Sequence, residues 1–343
     1  MSEPKRGALR LGFAVFLTAL VVGPLHVPQP FLALLATQLL IGIPCHSAGV
    51  FFSRLASAVA GSLGGLAILT FAPNSPWLSI PLFFATAGWG TAFVARRRDP
   101  ASAILFAIGI ASMVAESFVY PERDLPFGLA HMAALLTAAV CTPIAGWFFP
   151  FPEKPKSSPH ELSAPAIGTA AVASLVCASA ILPTEFTVTV VAAVTTALSL
   201  GGGLGLIGPK FLGGLLGSAA AVVFVIAASS MGNDMATYLL SLAVCLGLIE
   251  WGAGRFPAHA PAFRQAGAIF AVMGTILPEP ERHMWGSLER MCAVIAGLAT
   301  GCAAAWFTQL RLRSADVPVG TTGRLPADGD VGVPLGKRRG EWI

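Results

Sequence analysis

The chain has 343 residues, of which 55% are hydrophobic and 11% are charged, with a formal net charge of +4. Its mean hydropathy is +0.75. A soluble chain of this length needs more polar residues to cover its surface, so the composition excludes an ordinary soluble protein. It predicts an all-α polytopic membrane protein whose outer surface is in contact with the lipid bilayer.

Twelve apolar segments, separated by short polar or Pro- and Gly-containing breaks, are predicted as transmembrane helices, since about 20 apolar residues cross the hydrocarbon core. The first follows the basic start MSEPKR but is too long for a signal peptide and lacks an A-x-A-like cleavage site, so we predict a retained helix. The predicted segments are residues 8–26, 29–45, 51–72, 77–95, 101–119, 127–149, 166–182, 186–206, 209–230, 235–252, 264–278 and 284–309.

A polar stretch, PFPEKPKSSPHELSAPA, divides these segments into two sets of six. We therefore predict a first six-helix membrane repeat in residues 1–150, a cytoplasmic linker in 151–165 and a second repeat in 166–310. The polar residues 311–343 are predicted to form a disordered cytoplasmic tail. Because six is an even number, both sets begin on the same side of the membrane, and the repeats are expected to be parallel.

The distribution of basic residues supports twelve crossings. With the N-terminus inside and the loops assigned alternately, all but three of the 21 Lys and Arg residues lie on the cytoplasmic side. The exceptions are Arg123, Arg282 and Arg290. This asymmetry predicts that both termini are cytoplasmic. It also explains the basic charge without a nucleic-acid partner, and none is expected.

Recurring spacings indicate an internal duplication. Arg54 lies seven residues before Gly61, and Lys210 lies seven residues before Gly217, at an offset of 156 positions. The tripeptide Pro-Glu-Arg also occurs twice, at an offset of 159. Matches in the same order at nearly constant offset favour two copies of one unit.

Small residues in the third and ninth segments are spaced about one helical turn apart. Glycines at such positions let neighbouring helix backbones approach closely, and a role in gating motion is the alternative. The glycines concerned are Gly61, Gly64, Gly65, Gly213, Gly214 and Gly217.

Ionisable side chains inside apolar segments are costly, and they are the first candidates for a functional site. Arg290 and Glu289 lie near the outer end of the last segment, and His131 holds the matching place in the first set. Because neighbours on a helix point about 100° apart, Arg290 and Glu289 face different directions. We expect His131 and Arg290 to attract an organic anion and Glu289 to tune their charge. The alternative is that these groups reach water at the helix ends.

Four further residues complete the candidates. Glu116, near the outer end of the fifth segment, is either a rim residue or a proton-coupling site. His26 is a second proton-coupling candidate, because histidine changes charge near neutral pH. Thr37 and Gln38 either bind the substrate or bond to a neighbouring helix.

No catalytic, metal or cofactor motif is evident. The six cysteines lie scattered in apolar segments without a C-x-x-C pair. The stretch GGGLGLIG lacks the Lys-Ser/Thr ending of a phosphate-binding loop. We therefore expect a protein that is not an enzyme and needs no cofactor.

The motifs LHVPQPFLAL, RLASAVAGSLGG and ERMCAVIAGLATG, with Thr37-Gln38 between the first two, resemble the fusaric acid resistance and aromatic acid exporter family. The resemblance covers residues 8–150 and, more loosely, 166–310. It implies a protein of the bacterial inner membrane that exports small aromatic or other organic carboxylates, coupled to protons, together with a periplasmic membrane-fusion adaptor. The alternatives are a channel-like organic anion conductor and a non-transporting component for membrane assembly or lipid handling.

Overall fold

The structure, a computed structural model, describes residues 2–23, 30–43, 45, 47–71, 75–119, 124–150, 163–181, 185–200, 204–230, 235–274 and 283–315. These residues are almost entirely helical and contain no strand. Their twelve helices each overlap one predicted segment. The helices are α1 Glu3–Val22, α2 Pro30–Ile41, α3 Ala48–Phe71, α4 Pro76–Arg97, α5 Pro100–Val119, α6 Asp124–Phe148, α7 Ala164–Ile181, α8 Phe186–Ser199, α9 Ile207–Ser230, α10 Met235–Arg255, α11 Ala260–Met273 and α12 His283–Ala315.

Eight helices within the described residues are long and apolar enough to cross a membrane, namely α3 to α7, α9, α10 and α12. The chain therefore has the fold of an all-helical polytopic membrane protein. The α1 helix is long enough but carries four charged residues among its first eight. The other three helices are short, at 12, 14 and 14 residues for α2, α8 and α11.

The helix ends differ from the predicted ends at several places. Pro4 in the first turn lets α1 begin five residues earlier than predicted, because a proline there loses no helical hydrogen bond. The last helix continues to Ala315, so residues 311–315 are helical and not part of the predicted tail. The rest of that tail and residues 151–162 of the linker lie outside the described residues.

Helix contacts in the first set recur six helices later. The α3 helix packs along α5, and α9 packs along α11. Likewise α2 packs along α6, and α8 packs along α12. The α1 helix contacts α2 and α6, and the corresponding α7 helix contacts α8 and α12. The contacts between the sets also match under a shift of six helices. The contact of α1 with α10 corresponds to that of α7 with α4, and the contact of α2 with α11 corresponds to that of α8 with α5.

Glycines bring the helices of each set close together, as predicted. A Cβ on Gly61 of α3 would lie 2.3 Å from the carbonyl oxygen of Phe106 in α5. A Cβ on Gly217 of α9 would lie 2.4 Å from the carbonyl oxygen of Ala266 in α11. The helices can approach this closely only because glycine has no side chain at these two positions. The exception is Gly64, whose nearest neighbour atom is 3.8 Å from a Cβ.

Glycines also lie at two crossings between the sets, a feature that we did not predict. A Cβ on Gly12 of α1 or Gly247 of α10 would lie 3.1 Å from a carbonyl oxygen of the opposite helix. At the crossing of α4 and α7, a Cβ on Gly88 would lie 2.5 Å, and a Cβ on Gly168 2.9 Å, from a carbonyl oxygen of the opposite helix. Gly12 and Gly168 are 156 positions apart, and Gly88 and Gly247 are 159 apart, so the two crossings use matching positions.

Contacts between helix ends show that the helices alternate in direction. Pro4 at the start of α1 lies beside Gly254 at the end of α10, and Lys210 of α9 donates to the carbonyl of Ser199 at the end of α8. Odd-numbered helices thus begin at one face of the protein, and even-numbered helices end at the same face. We call it the basic face. Among described side chains, the Lys and Arg residues at this face are Lys5, Arg6, Arg10, Arg54, Arg96, Arg97, Arg98, Lys210, Arg255, Arg264 and Arg311.

The short helices lie in the interior of the fold. Of the 12 residues of α2, 10 are buried, and of the 14 residues of α8, 12 are buried. One hydrophobic cluster joins buried side chains of α2 and α8 with those of α11 and α12. The two sets therefore share one apolar core rather than forming separate domains.

Candidate functional site

The beginnings of α8 and α12 bring an acidic and a basic side chain together at the face opposite the basic face. The Nε atom of Arg290 lies 3.5 Å from Oε2 of Glu185, which directly precedes α8. The two side chains are 21% and 16% exposed. The Nε atom is buried and makes no hydrogen bond to any described residue. The contact is therefore an ion pair at a longer distance than a good charge-assisted hydrogen bond.

An aromatic ring of the first set completes this contact. The Cζ atom of Arg290 lies 5.8 Å from the centroid of the Phe31 ring, in the first turn of α2. A cation over an aromatic ring contributes about 0.5–2 kcal/mol, depending on how well it is desolvated. Because Arg290 and Glu185 belong to the second set and Phe31 to the first, the ion pair lies where the two sets meet.

A second carboxyl group lies near the same helix end. Oε2 of Glu116 in α5 accepts a hydrogen bond of 2.7 Å from Oγ1 of Thr187 in the first turn of α8. Glu116 is 3% exposed and therefore buried, and its role as a rim residue or a proton-coupling site stays a prediction. Glu185 and Glu116 are both close to the N-terminus of α8, where the helix dipole favours negative charge.

The surroundings of Glu185 act on its ionisation in opposite directions. Burial raises the pKa of the Glu185 carboxyl above its ordinary value, since desolvation penalises the charged form. The Arg290 guanidinium opposes this shift, whereas the negative charge of Glu289 adds to it. The charge of Glu185 therefore depends on Arg290 remaining beside it.

The predicted pair Thr37-Gln38 divides between two kinds of contact. Oγ1 of Thr37 lies 2.9 Å from Oγ1 of Thr18 in α1 and donates to the carbonyl of Ala33 at 2.8 Å. Thr37 thus bonds to a neighbouring helix, one of the two alternatives. Gln38 is 6% exposed and lies against Gly267 of α11, and its Oε1 has no donor among the described residues.

The other predicted residues are dispersed. His131 is 1% exposed within α6, which packs against α1, α2, α3 and α5. Glu289 is exposed, whereas its neighbour Arg290 is half-buried, so these two residues do face different directions. His26 lies outside the described residues. Arg290 is therefore the predicted residue around which the structure gathers further groups.

Sequence reasoning missed Glu185, Thr187 and the proximity of Phe31 to Arg290. Glu185 did have a signal, because it stands directly before a long run without charged residues, as acidic residues often do at helix N-termini. Its pairing with Arg290, 105 positions later in the chain, had none.

No protein family, curated protein or solved structure matches this chain. The resemblance to the aromatic acid exporters stays a prediction. Within the described residues, no group of three or more His, Cys, Asp or Glu side chains could hold a metal ion. All six cysteines are free.

Proposed function

We propose that the chain consists of two parallel six-helix repeats that cross the membrane twelve times. The recurrence of helix contacts after six helices supports this, as do the glycines at matching positions of the two crossings between the sets. The short helices α2 and α8 also correspond to each other. Unusually short segments at matching places of two repeats are typical of transporters, whose substrate sites they help to form.

The proposed orientation places both termini in the cytoplasm of a bacterium, with the protein in the inner membrane. Support comes from the basic face, which holds every described Lys and Arg side chain except Arg290. Cytoplasmic faces of membrane proteins carry such an excess of basic residues. Arg290 then lies towards the periplasm.

The proposed activity is transport of small organic anions, and the observation that carries it is the Arg290–Glu185 ion pair where the two sets meet. An ionisable residue among membrane helices is rare and marks a substrate or ion pathway by default. Gln38, seven residues after Phe31 on α2, would add a polar group about 10 Å further into the membrane.

Aromatic and other carboxylates are the proposed substrate class. A guanidinium binds a carboxylate through paired hydrogen bonds, and the Phe31 ring offers an apolar surface for the organic part of the molecule. Export, and a periplasmic membrane-fusion adaptor as partner, are what the family resemblance adds to the proposal. Glu116 is proposed as a proton-coupling group because it is a buried carboxyl at the contact of α5 with α8.

Flux of labelled benzenesulfonate into liposomes that contain the purified protein tests the activity, because this permanently charged anion does not leak through the lipid as a neutral acid. Labelled benzoate, measured with protein-free liposomes as the blank, tests the carboxylate class. We expect flux with the wild type and a loss of tenfold or more with Arg290→Gln. Arg96→Gln is the matched control, since this arginine is exposed at the basic face.

Flux of neither anion, or an unchanged rate with Arg290→Gln, would refute the proposal. Flux that follows voltage and ignores a pH gradient would instead identify a channel-like conductor.

A further inference from the structure

The Arg290–Glu185 ion pair has a geometry that a bound anion can replace. Its shortest contact is 3.5 Å, and the buried Nε of Arg290 donates no hydrogen bond to a described residue. A substrate carboxylate at normal hydrogen-bond distance, about 2.7–2.9 Å, would bind the guanidinium more strongly than Glu185 does here. The two anions would compete for one cation.

We propose that a substrate anion displaces Glu185 from Arg290 and that the displaced carboxylate then binds a proton, so that anion and proton bind together. This inference rests on the proposed transport of organic anions and adds the mechanism of coupling at the same site. It assigns the coupled proton to Glu185 instead of Glu116, and it makes import, not export, the direction that an inward proton gradient drives. The proton comes from a hydronium ion of the solvent, whose O–H bond breaks to leave water, and it forms an O–H bond with a carboxylate oxygen of Glu185.

Within the described residues, Arg290 is the cationic side chain that acts on Glu185, and the other groups around it are not cations. The α12 helix brings Arg290 and Glu289, and α5 brings Glu116 through its bond to Thr187. A partly buried carboxylate that has lost its cation, with the negative charge of Glu289 nearby, lowers its free energy by taking up a proton.

Charge balance gives a physical reason for the exchange. Before binding, the positive Arg290 and the negative Glu185 sum to zero. After binding, the positive Arg290, the negative substrate and the neutral Glu185 again sum to zero. Both states can therefore be enclosed by apolar helices without burying a net charge, which costs several kcal/mol.

Co-binding also determines how a proton gradient drives the protein. An inward gradient drives a proton and an anion inwards together, because each increases the affinity for the other. Export against this gradient, the direction that the family resemblance implies, requires anion and proton to compete. The sign of the pH dependence of anion binding distinguishes the two.

Equilibrium binding of labelled benzoate to the purified full-length chain in detergent, between pH 5.5 and 8.5, tests the proposal. Benzoate stays ionised over this range, so its own titration does not contribute. For the wild type we expect the Kd to rise with pH by up to tenfold per unit above the titration of Glu185. Glu185→Gln should bind benzoate with a Kd that is independent of pH and no weaker than that of the wild type at pH 5.5.

Controls separate this role from others. Glu3→Gln, at an exposed position of the basic face, should keep the wild-type pH profile. His131→Asn should also keep it, because the proposal assigns the proton to Glu185. If Glu185→Gln does not fold, the proposal is tested by measuring the protons that the wild type takes up when it binds benzoate. Calorimetry in buffers of different ionisation enthalpy should show up to one proton bound per benzoate.

The outcomes are distinguishable. Benzoate binding that is lost with Arg290→Gln but has a flat or opposite pH profile in the wild type overturns the co-binding proposal and leaves the transport proposal intact. The same slope in Glu185→Gln as in the wild type, or loss of the slope only with His131→Asn, also overturns it. Absence of benzoate binding to the wild type at every pH overturns the co-binding proposal, and absence of benzenesulfonate flux as well overturns the transport proposal.

Discussion

Oγ1 of Thr187 donates a hydrogen bond of 2.7 Å to Oε2 of Glu116 and thereby joins the start of α8 to the end of α5. The residues are 71 positions apart and belong to different sets of six helices. Both are less than 5% exposed, so water cannot easily replace the bond.

Substitution Thr187→Val keeps the size of the side chain and removes this donor. We expect the free energy of unfolding to fall by about 1–3 kcal/mol, because a buried carboxyl group loses a hydrogen bond. Thermal unfolding in detergent measures the change. Thr300→Val is the control, since among the described residues that hydroxyl bonds only to the carbonyl of Ala296 in its own helix. An equal loss in both variants would contradict the role assigned to the Glu116–Thr187 bond.

Substitution Gly217→Ala tests the close crossing of α9 and α11. The added Cβ would lie 2.4 Å from the carbonyl oxygen of Ala266, so the helices must move apart. Overpacking of this kind costs about 1–3 kcal/mol.

Gly208→Ala on the same helix is the matched control, because a Cβ there has no neighbour within 4 Å among the described residues. It should be neutral or stabilising by up to about 1 kcal/mol, as alanine favours a helix over glycine. A Gly217→Ala protein as stable as Gly208→Ala would show that the crossing is not tight.

Separate expression of the two halves, cut within residues 151–162, tests the contacts between the sets. We expect the halves to assemble and co-purify, because buried apolar clusters and four helix pairs join them. Gly88→Leu should reduce co-purification severalfold, since a Cβ at this position already lies 2.5 Å from a carbonyl of α7. Gly49→Leu, where the nearest atom to a Cβ is 3.9 Å away, should not. Halves that never associate would refute the shared core.

Labelling of single cysteines with a membrane-impermeant maleimide in intact cells tests the proposed orientation. In a variant without the native cysteines, Glu122→Cys and Glu281→Cys should react from outside. Ser157→Cys and Thr321→Cys should react only after the membrane is opened. Labelling of any of these four cysteines from the side opposite to the expected one would contradict twelve crossings with cytoplasmic termini.

Much of the fold followed from local properties of the sequence. Hydropathy identified the apolar segments, and each described helix overlaps one of them, because the length and polarity of a segment decide whether it forms a buried helix. Spacing of glycines predicted the close contacts of Gly61 and Gly217, since residues one turn apart share a helix face. Helix ends were less predictable, as the extension of α12 to Ala315 shows.

The candidate site was only partly within reach of the sequence. Arg290 stood out because a charged residue in an apolar segment is rare whatever surrounds it. Its neighbours Glu185 and Phe31, the burial of Glu116 and the exposure of Glu289 depended on which helices pack together. Such contacts join residues about 70 to 260 positions apart, and no local pattern encodes them. The sequence by itself thus determined which segments form helices, and only the tertiary structure decided which side chains meet.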